Sequence, residues 1–278
     1  MRLPEQSGGS IRFIRRIRRH TPYRQKEGEA MRISVIGAGA IGGNIARRLS
    51  EAGHDVLVAD ARGPEAVAAD IVAAGVRAVD VDEATNDREV IVLSIPFAKQ
   101  PELADLLAAV TTETVIVDTS NYYPTMNGHV RAVDDGQVES LWVAEQLGRP
   151  IVKAWNAALA GTQQGKGLPA GTPGRLAIPV AADSDRARRL VMGLVNDMGF
   201  DPVDAGPLAD SWRQQPGTPA YCTELNAGEL DRALAAADKD EAPRTRDRLM
   251  EHFASLTAAP TLDETVAINR AAHHSDAR

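Results

Sequence analysis

Residues 32–49 read RISVIGAGAIGGNIARRL, an apolar run followed by a glycine-rich turn and an amphipathic segment. The pattern predicts a buried strand, a turn containing Gly37, Gly39 and Gly42, and then a helix. In such a turn the first glycine permits a tight bend, the second lets a ligand approach the backbone, and the third lets the helix pack closely. The unpaired N–H groups at the start of that helix favour an anion such as a pyrophosphate.

A second strand is predicted at 55–59, and it ends at Asp60, 18 residues beyond Gly42. An acidic side chain at this place typically accepts hydrogen bonds from the ribose of a bound dinucleotide. The predicted order is therefore strand, turn, helix, strand and carboxylate, which is the order that the dinucleotide-binding fingerprint requires. We predict a nucleotide site here rather than an ordinary glycine-rich turn.

The rest of the chain continues to alternate between strand and helix patterns. The unbroken apolar run at 90–94 is typical of a central parallel strand that is buried on both faces. The alternation predicts an α/β fold with a doubly wound, mostly parallel sheet (a Rossmann fold), extra strands and a C-terminal helical part. Other strands are predicted at 33–36, 76–79, 114–117, 151–154, 176–181 and 202–204. Helices are predicted from the glycine turn to about residue 51 and at 64–74, 101–110, 140–147, 184–198, 224–237 and 242–258, and a long loop at 160–175.

The 278 residues divide into three parts. Residues 1–30 carry eight Lys or Arg and three Glu, and we predict a disordered extension, or translation from Met31, over an amphipathic or transit-like peptide. Residues 31–207 are the predicted dinucleotide-binding domain. Residues 208–278 are predicted to be helical and to pack on that domain or on a partner subunit, so a homodimer is an expectation.

Composition restricts the classes of partner and compartment. The chain has a net charge of −7 although its N-terminal part is basic, so the body is acidic and a nucleic-acid partner is disfavoured. No apolar run is long enough to cross a bilayer, and we expect no membrane partner. The single cysteine, Cys222, excludes an internal disulfide, and the histidines show no metal-ligand spacing, so we expect no metal and a reduced, cytoplasmic setting.

Ligands of a doubly wound sheet lie across the carboxyl ends of its strands, so the residues that follow each strand are the candidates. The carboxylate of Asp60 favours the unmodified ribose of NAD, whereas the guanidinium of Arg62 favours the 2′-phosphate of NADP. Arg62 lies at a helix start, where the helix dipole disfavours a cation, and this placement favours an anionic ligand. The residues therefore favour NADP and leave NAD open.

Six motifs occur in one order and cover about residues 31–210: GAGAIGG at 37–43, RGP at 62–64, SIP at 94–96, D-x-x-N at 118–121, KAWN at 153–156 and GFDPVDAGPL at 199–208. In this order and spacing the chain resembles the family of NADP oxidoreductases that depend on the deazaflavin coenzyme F420. The resemblance implies a Rossmann domain with added strands, NADP(H) as the pyridine coenzyme, and hydride exchange across the nicotinamide.

The resemblance also implies roles for individual residues. It places the pyrophosphate on the three glycines, the 2′-phosphate on Arg62, the nicotinamide against the residues that follow the fourth strand, and an acceptor pocket beside the residues that follow the sixth. The predicted coenzyme contacts are Gly37, Ala38, Gly39, Ala40, Ile41, Gly42, Asp60, Ala61, Arg62, Ser94, Ile95, Pro96 and Asn121, and the predicted catalytic residues are Lys153, Trp155 and Asn156.

Three functional hypotheses follow. Hydride exchange between NADP(H) and an F420-type deazaflavin requires positioning in a dry cleft and no general base, and it is the favoured hypothesis. An NAD(P)-dependent reductase of a small carbonyl or imine would need a proton donor, for which Lys153 is the candidate, although it is equally well read as an exposed strand-end lysine. The third is a non-catalytic NAD(P) sensor. Tyr122 and Tyr123 are predicted to be surface or dimer contacts rather than acids.

Overall fold

The computed structural model describes residues 30–273, so the predictions for the basic extension concern a part that is almost wholly outside the described residues. Within that range the chain forms eight strands: β1 Arg32–Ile36, β2 Asp55–Ala59, β3 Arg77–Ala78, β4 Val90–Leu93, β5 Val115–Asp118, β6 Ile151–Lys153, β7 Ala177–Val180 and β8 Asp201–Asp204. The first six form one sheet in the order β3-β2-β1-β4-β5-β6.

All pairings in the six-stranded sheet are parallel. Its strand order is that of the doubly wound dinucleotide-binding fold, and the predicted fold class is confirmed. The predicted extra strands, β7 and β8, form a separate parallel pair rather than extending the sheet. An antiparallel bridge between Lys153 and Ala181 connects this pair to the end of β6.

Helices cover both faces of the sheet. The α-helices are α1 Ala40–Glu51, α2 Ala69–Ala73, α3 Val81–Ala84, α4 Ala104–Ala108, α5 Pro124–Asn127, α6 Arg131–Asp134, α7 Glu139–Leu147, α8 Ala160–Gly165, α9 Asp185–Asp197, α10 Ala227–Ala236, α11 Ala242–Ser255 and α12 Leu262–Ala271, and 3₁₀ helices occupy Pro64–Ala66, Phe97–Leu103 and Leu208–Gln214. None of the helices between residues 30 and 273 is long and apolar enough to cross a membrane.

Strand β4 shows why the sheet has two apolar layers. Its four residues are fully buried, and because successive side chains point to opposite faces, Val90 and Val92 join one core cluster while Ile91 and Leu93 join the other. The first cluster includes residues of α1 and α9, and the second includes residues of α7. The sheet is therefore buried on both faces, as its unbroken apolar strands predicted.

The structure corrects several predicted elements. The segment predicted as a long loop at 160–175 begins with α8, which is held to α1 because Asn44 Nδ2 donates to Ala160 O at 2.9 Å. The helix predicted at 64–74 is divided into a 3₁₀ turn and α2, because the backbone at Val67 is extended. Both differences arise from local or tertiary contacts that apolar periodicity does not report.

The C-terminal helices agree with prediction in part, since α11 begins at Ala242 as expected but ends at Ser255 rather than at 258. Helix α10 begins three residues later than expected, because Asn226 and Glu229 form a capping box. Helix α12 was not predicted, although Thr261 and Glu264 form the same kind of box and carry its sequence signature. The capping signature was therefore a stronger indicator of these helices than the spacing of apolar residues.

Gly42 offers a test of the close packing between β1 and α1. A Cβ atom on Gly42 would lie 1.9 Å from the carbonyl oxygen of Gly37, which is backbone and has no room to retreat. We expect Gly42→Ala to lower the free energy of unfolding by about 1–3 kcal/mol, measured by urea denaturation.

Gly165→Ala is the matched control, because a Cβ there has no neighbour within 4 Å. We expect its stability to equal or slightly exceed that of the wild type. A Gly42→Ala variant as stable as the control would contradict the steric account.

Candidate functional site

The turn between β1 and α1 is shaped by two close backbone approaches. Gly37 has a φ of 107°, and a Cβ on it would lie 2.1 Å from the carbonyl oxygen of Ser94, the residue after β4. Gly42 faces the Gly37 carbonyl equally closely. Gly39 is different, because a Cβ there would meet nothing within 4 Å. The space above Gly39 is thus open, and two of the three glycines are required by the fold itself.

This open space lies at the start of α1. Gly39 is the N-cap, no side chain caps the helix, and the first turn contains no acidic residue. Gly39 and Ala40 are exposed, with Ala38 and Ile41 half-buried beside them. The first N–H groups of this twelve-residue helix therefore have no side-chain cap and no competing negative charge. Helix N-termini with free N–H groups of this kind are common binding sites for phosphate. The residues present fit the pyrophosphate of a dinucleotide.

Asp60, predicted to contact the ribose, and Arg62, predicted to contact a 2′-phosphate, are paired with each other. Asp60 Oδ1 accepts from Arg62 Nε at 2.8 Å and from its backbone N–H at 3.0 Å, and Oδ2 accepts from Nη2 at 3.2 Å. These hydrogen bonds hold the pKa of the Asp60 carboxyl below its usual value, with a smaller contribution from the Ala38 amide. The Arg62 side chain is 74% exposed, so its guanidinium can reach a ligand while still paired. Ala61, between them, is exposed.

The residues that follow β4 and β5 meet beside the glycine turn. The Ser94 N–H donates to Ile36 O at 2.8 Å, and the Thr119 N–H donates to Leu93 O at 3.1 Å. Ile95 also approaches the turn, since a Cβ on Gly37 would lie 3.2 Å from its Cγ2. Ser94 and Ile95 are half-buried and Pro96 is exposed. The structure therefore brings Ser94 and Ile95, two of the three residues predicted to line the nicotinamide, next to the glycine turn, and Pro96 follows them in the chain.

Asn121 and Asn156 join the ends of β5 and β6. Each amide group hydrogen bonds to the other residue: Asn121 Nδ2 donates to Asn156 O, and Asn156 Nδ2 donates to Asn121 Oδ1, both at 3.0 Å. Gln214, which sequence reasoning did not select, completes the network by donating to Asn156 Oδ1 at 2.9 Å. The two predicted residues therefore meet in space, 35 positions apart in the chain.

Trp155 does not border a cleft. Its side chain has no exposed surface and lies in the core cluster on one face of the sheet, and its φ is 60°, which is strained for a bulky residue. This backbone conformation turns the chain directly after β6, so that Trp155 points into the core while Asn156 points to Asn121. The prediction that the indole borders an acceptor pocket is thus not what the structure shows.

Lys153 is neither an exposed lysine nor an open proton donor. It is completely buried, its Nζ donates to Asp118 Oδ2 at 2.7 Å, and it also hydrogen bonds to Ser120 O. Asp118 is equally buried and further accepts from Gln100 Nε2 at 3.1 Å and the Ser120 N–H at 2.9 Å. The Lys153 ammonium therefore anchors the segment that follows β5, and this segment continues to Asn121.

A third ionisable group, Glu139, lies in the same interior. It is 4% exposed, it begins α7, and its Oε2 accepts from the Tyr122 N–H at 3.1 Å. Burial raises the pKa of the Glu139 carboxyl to about 7, although the charge of Lys153 opposes this shift. The segment at 118–122 is thus held in place by the carboxylates of Asp118 and Glu139 and by the Lys153 ammonium. No sequence motif predicted the role of Glu139.

The tyrosines after β5 also differ from prediction. Tyr122 is 1% exposed and its hydroxyl donates to Asp134 Oδ1 at 2.8 Å, so the expectation of a surface contact is wrong for it. The Tyr123 hydroxyl donates to the Tyr221 hydroxyl at 2.9 Å, and Asn121 Nδ2 donates to the same oxygen at 3.3 Å. Tyr221 is a site residue that sequence reasoning missed, since it lies 98 positions beyond Tyr123.

A family model described as NADP oxidoreductase, coenzyme F420-dependent, matches residues 32–122. The Escherichia coli K12 protein YjhV is 45% identical over 103 residues, which are 37% of this chain and 75% of YjhV. The chain belongs to the family of coenzyme F420-dependent NADP oxidoreductases. Like its family, it is an NAD(P)-dependent oxidoreductase of the Rossmann type, and the resemblance drawn from the six motifs is confirmed.

Two solved structures extend the comparison. Protein SMa0349 of Sinorhizobium meliloti is 28% identical with a TM-score of 0.60, and the match covers 70% of this chain and 95% of that one. An Arthrobacter sp. FB24 protein, provisionally named an F420-dependent NADP reductase, is 18% identical with a TM-score of 0.53, covering 83% and 96%. The second likeness, at this low identity, concerns the fold alone.

A substitution at Gly39 tests ligand binding without disturbing the fold. Because a Cβ at this position meets no protein atom, we expect Gly39→Ala to change the free energy of unfolding by less than about 1 kcal/mol. The added methyl group would occupy the open space above Gly39. We expect it to weaken NADPH binding about tenfold or more, measured by NADPH fluorescence titration. Unchanged NADPH affinity in a folded variant would show that the pyrophosphate does not lie over Gly39.

Glu139 predicts a pH dependence of stability. Its pKa in the folded protein lies above the ordinary 4.5, so protonation favours the folded state, and stability is lost as the pH rises from about 4.5 to about 7. A neutral glutamine avoids this loss. We expect Glu139→Gln to gain on the order of 3 kcal/mol relative to wild type across that range, measured by urea denaturation at several pH values.

The exposed Glu145, on the same helix, is the control position. A Glu145→Gln variant should follow the wild type across this range, because its carboxylate stays in water in both states. If the two glutamine variants show the same pH dependence, then Glu139 is not the group responsible.

Proposed function

We propose that the protein binds NADP(H) in the glycine turn and transfers a hydride at the edge formed by Ser94, Ile95, Pro96 and Asn121. The observation that carries this proposal is the open, uncapped start of α1 above Gly39, with Arg62 at the end of the next strand. Bound NADPH would supply the hydride. The residues of the chain would hold the coenzyme, orient it and exclude water.

The Asp60–Arg62 pair supports NADP over NAD. Asp60 is ionised and hydrogen bonded to Arg62 through both carboxylate oxygens, so its charge is compensated where the 2′-phosphate would lie. The remaining N–H groups of the guanidinium would bind that phosphate, and charge-assisted hydrogen bonds of this kind are among the strongest that side chains make. With NAD, Asp60 would instead accept from the ribose hydroxyls, and the exposed Arg62 guanidinium would have no phosphate to bind.

For the acceptor we propose a deazaflavin of the F420 type, supported by the family to which the chain belongs. Hydride exchange between two rings depends on positioning rather than on an acid, and this agrees with a Lys153 that is buried and paired with Asp118. The second candidate is a small carbonyl or imine, with the Tyr123–Tyr221 pair in place of Lys153 as the proton source. A cavity beside that pair is the observation that favours it.

The test is an anaerobic absorbance assay of oxidised F420 with NADPH and NADH in parallel. We expect loss of the deazaflavin band with NADPH, and a much slower loss with NADH. Arg62→Gln should reduce the preference for NADPH about tenfold or more, because it removes charge-assisted hydrogen bonds to the 2′-phosphate. Asp60→Asn, the matched change, should retain or increase that preference.

Each other outcome is informative. Loss of the band with NADH alone would reverse the coenzyme assignment but keep the reaction. No loss with either coenzyme, while both still bind, would reject the deazaflavin and direct attention to the small carbonyl or imine. Binding without turnover of any acceptor would favour a sensor. A cytoplasmic location and a homodimer remain parts of this proposal.

A further inference from the structure

We infer that a cavity in the C-terminal part is a binding site for a small carboxylate with an apolar body. This deepens the proposed function, because it gives the chemical class of the second-candidate substrate, but the binding itself does not depend on the coenzyme. The cavity has a volume of about 240 Å³, is partly open to solvent, and is lined by Tyr123, the segment at 216–222, and helices α11 and α12.

The wall of the cavity is apolar. Its apolar lining residues are Leu249, Met250 and Phe253 of α11, together with Leu159 and Met126. Met126 is 70% exposed, which is unusual for so large an apolar side chain. Burial of hydrocarbon against such a wall is the main source of affinity in small-molecule sites.

The segment at 216–222 is fixed rather than loosely placed. Gly217 has a φ of 83°, and a Cβ on it would lie 2.0 Å from Ala242 O and 2.6 Å from the Arg246 N–H nitrogen. The segment therefore lies directly against the first turns of α11, and it carries Tyr221 to the cavity. A site of fixed shape binds without the cost of first ordering a loop.

Arg246 is the cationic side chain in the lining of the cavity, and its charge also acts on the carboxylates of Asp134 and Glu139. Its side chain is only 11% exposed, its Nε pairs with Asp247 Oδ1 at 2.8 Å, and its guanidinium lies 5.6 Å from the centre of the Tyr122 ring. Among residues 30–273, no protein acceptor takes a hydrogen bond from its terminal nitrogens, Nη1 and Nη2. A largely buried guanidinium with two free nitrogens matches the two oxygens of a carboxylate.

Tyr123 and Tyr221 form the polar end of the same cavity. Burial raises the pKa of both hydroxyl groups, so both remain neutral hydrogen-bond donors at physiological pH. The Tyr221 oxygen accepts from Tyr123 and from Asn121, and the Tyr221 hydroxyl also hydrogen bonds to the Cys222 thiol, so a carbonyl oxygen of the ligand would replace the thiol as the partner of the Tyr221 proton. Asn121 connects this end to Asn156 and so to the carboxyl ends of β5 and β6.

The volume limits the size of the ligand. Pockets for drug-sized molecules are about 300–1,000 Å³, so a cavity of about 240 Å³ suits a smaller one. An aryl or branched alkyl group with a carboxylate fits the apolar wall and Arg246 together. The three-ring deazaflavin would not be contained within it.

The test compares two probes of the same shape, 3-phenylpropanoate and its neutral amide, by isothermal titration calorimetry on the full chain. We expect the acid to bind about tenfold or more tightly than the amide, because the carboxylate gains charge-assisted hydrogen bonds to Arg246. Arg246→Gln should remove this preference. Arg244→Gln is the matched control, because Arg244 is an exposed arginine on the same helix that pairs with Glu241.

A second variant leaves Arg246 in place, so that the test does not depend on whether Arg246→Gln folds. Met250→Trp should fill the cavity and abolish binding of both probes while Arg246 is retained. Equal binding of acid and amide to the wild type, binding of neither, or an unchanged preference in Arg246→Gln would overturn the inference. NADPH titration of the same samples separates this result from the proposed function, since Arg246 and Met250 lie outside the coenzyme turn.

Discussion

The structure depends on the close approach of three backbone segments at the carboxyl end of the sheet. The carbonyl groups of Gly37 and Ser94 occupy the places where side chains of Gly42 and Gly37 would otherwise lie. Because these atoms belong to the backbone, no rearrangement of side chains can relieve a clash, and only glycine satisfies the geometry. This contact aligns the start of α1 with the residues after β4, and it leaves an uncapped helix start facing open space above Gly39.

The next layer of the site rests on buried charge. Lys153 and Asp118, on adjacent strands, are completely buried and paired, with Glu139 nearby. Such pairs add little to stability once the cost of removing both charges from water is counted, but leaving either one unpaired is very costly. Their effect here is geometric. Lys153 Nζ donates a hydrogen bond to Ser120 O, and this contact fixes the position of the next residue, Asn121. The residue that sequence reasoning selected as an acid therefore has a clear physical task, which is to position its neighbours.

The parts of the fold predicted well were those with strong local signals. Val90–Leu93 is apolar at every position, and a strand buried on both faces has no alternative to such a composition. The misplaced parts were those whose local signal competes with tertiary contacts, as in α8, which is stabilised by α1 rather than by its own sequence, AGTQQG. Of the candidate site, the glycine turn and the residues after β4 lie together as expected. Tyr221 was not selected, because it is brought to the site by a segment whose path no periodic pattern describes. Arg246 lies on a helix that was predicted, but the sequence alone does not show that this part of the helix faces a cavity.

The sequence by itself determined the parallel sheet, the open glycine turn and the presence of Asp60 and Arg62 at the end of the next strand, because glycine, apolar runs and charged strand ends act through local sterics and desolvation. Only the tertiary structure decided what the remaining polar residues do. Whether Lys153 is an acid or a buried support, and whether Trp155 lines a cleft or fills the core, depends on which elements cover them. A side chain's solvent exposure and charge partners come from segments distant in sequence, and those are the quantities that set its chemistry.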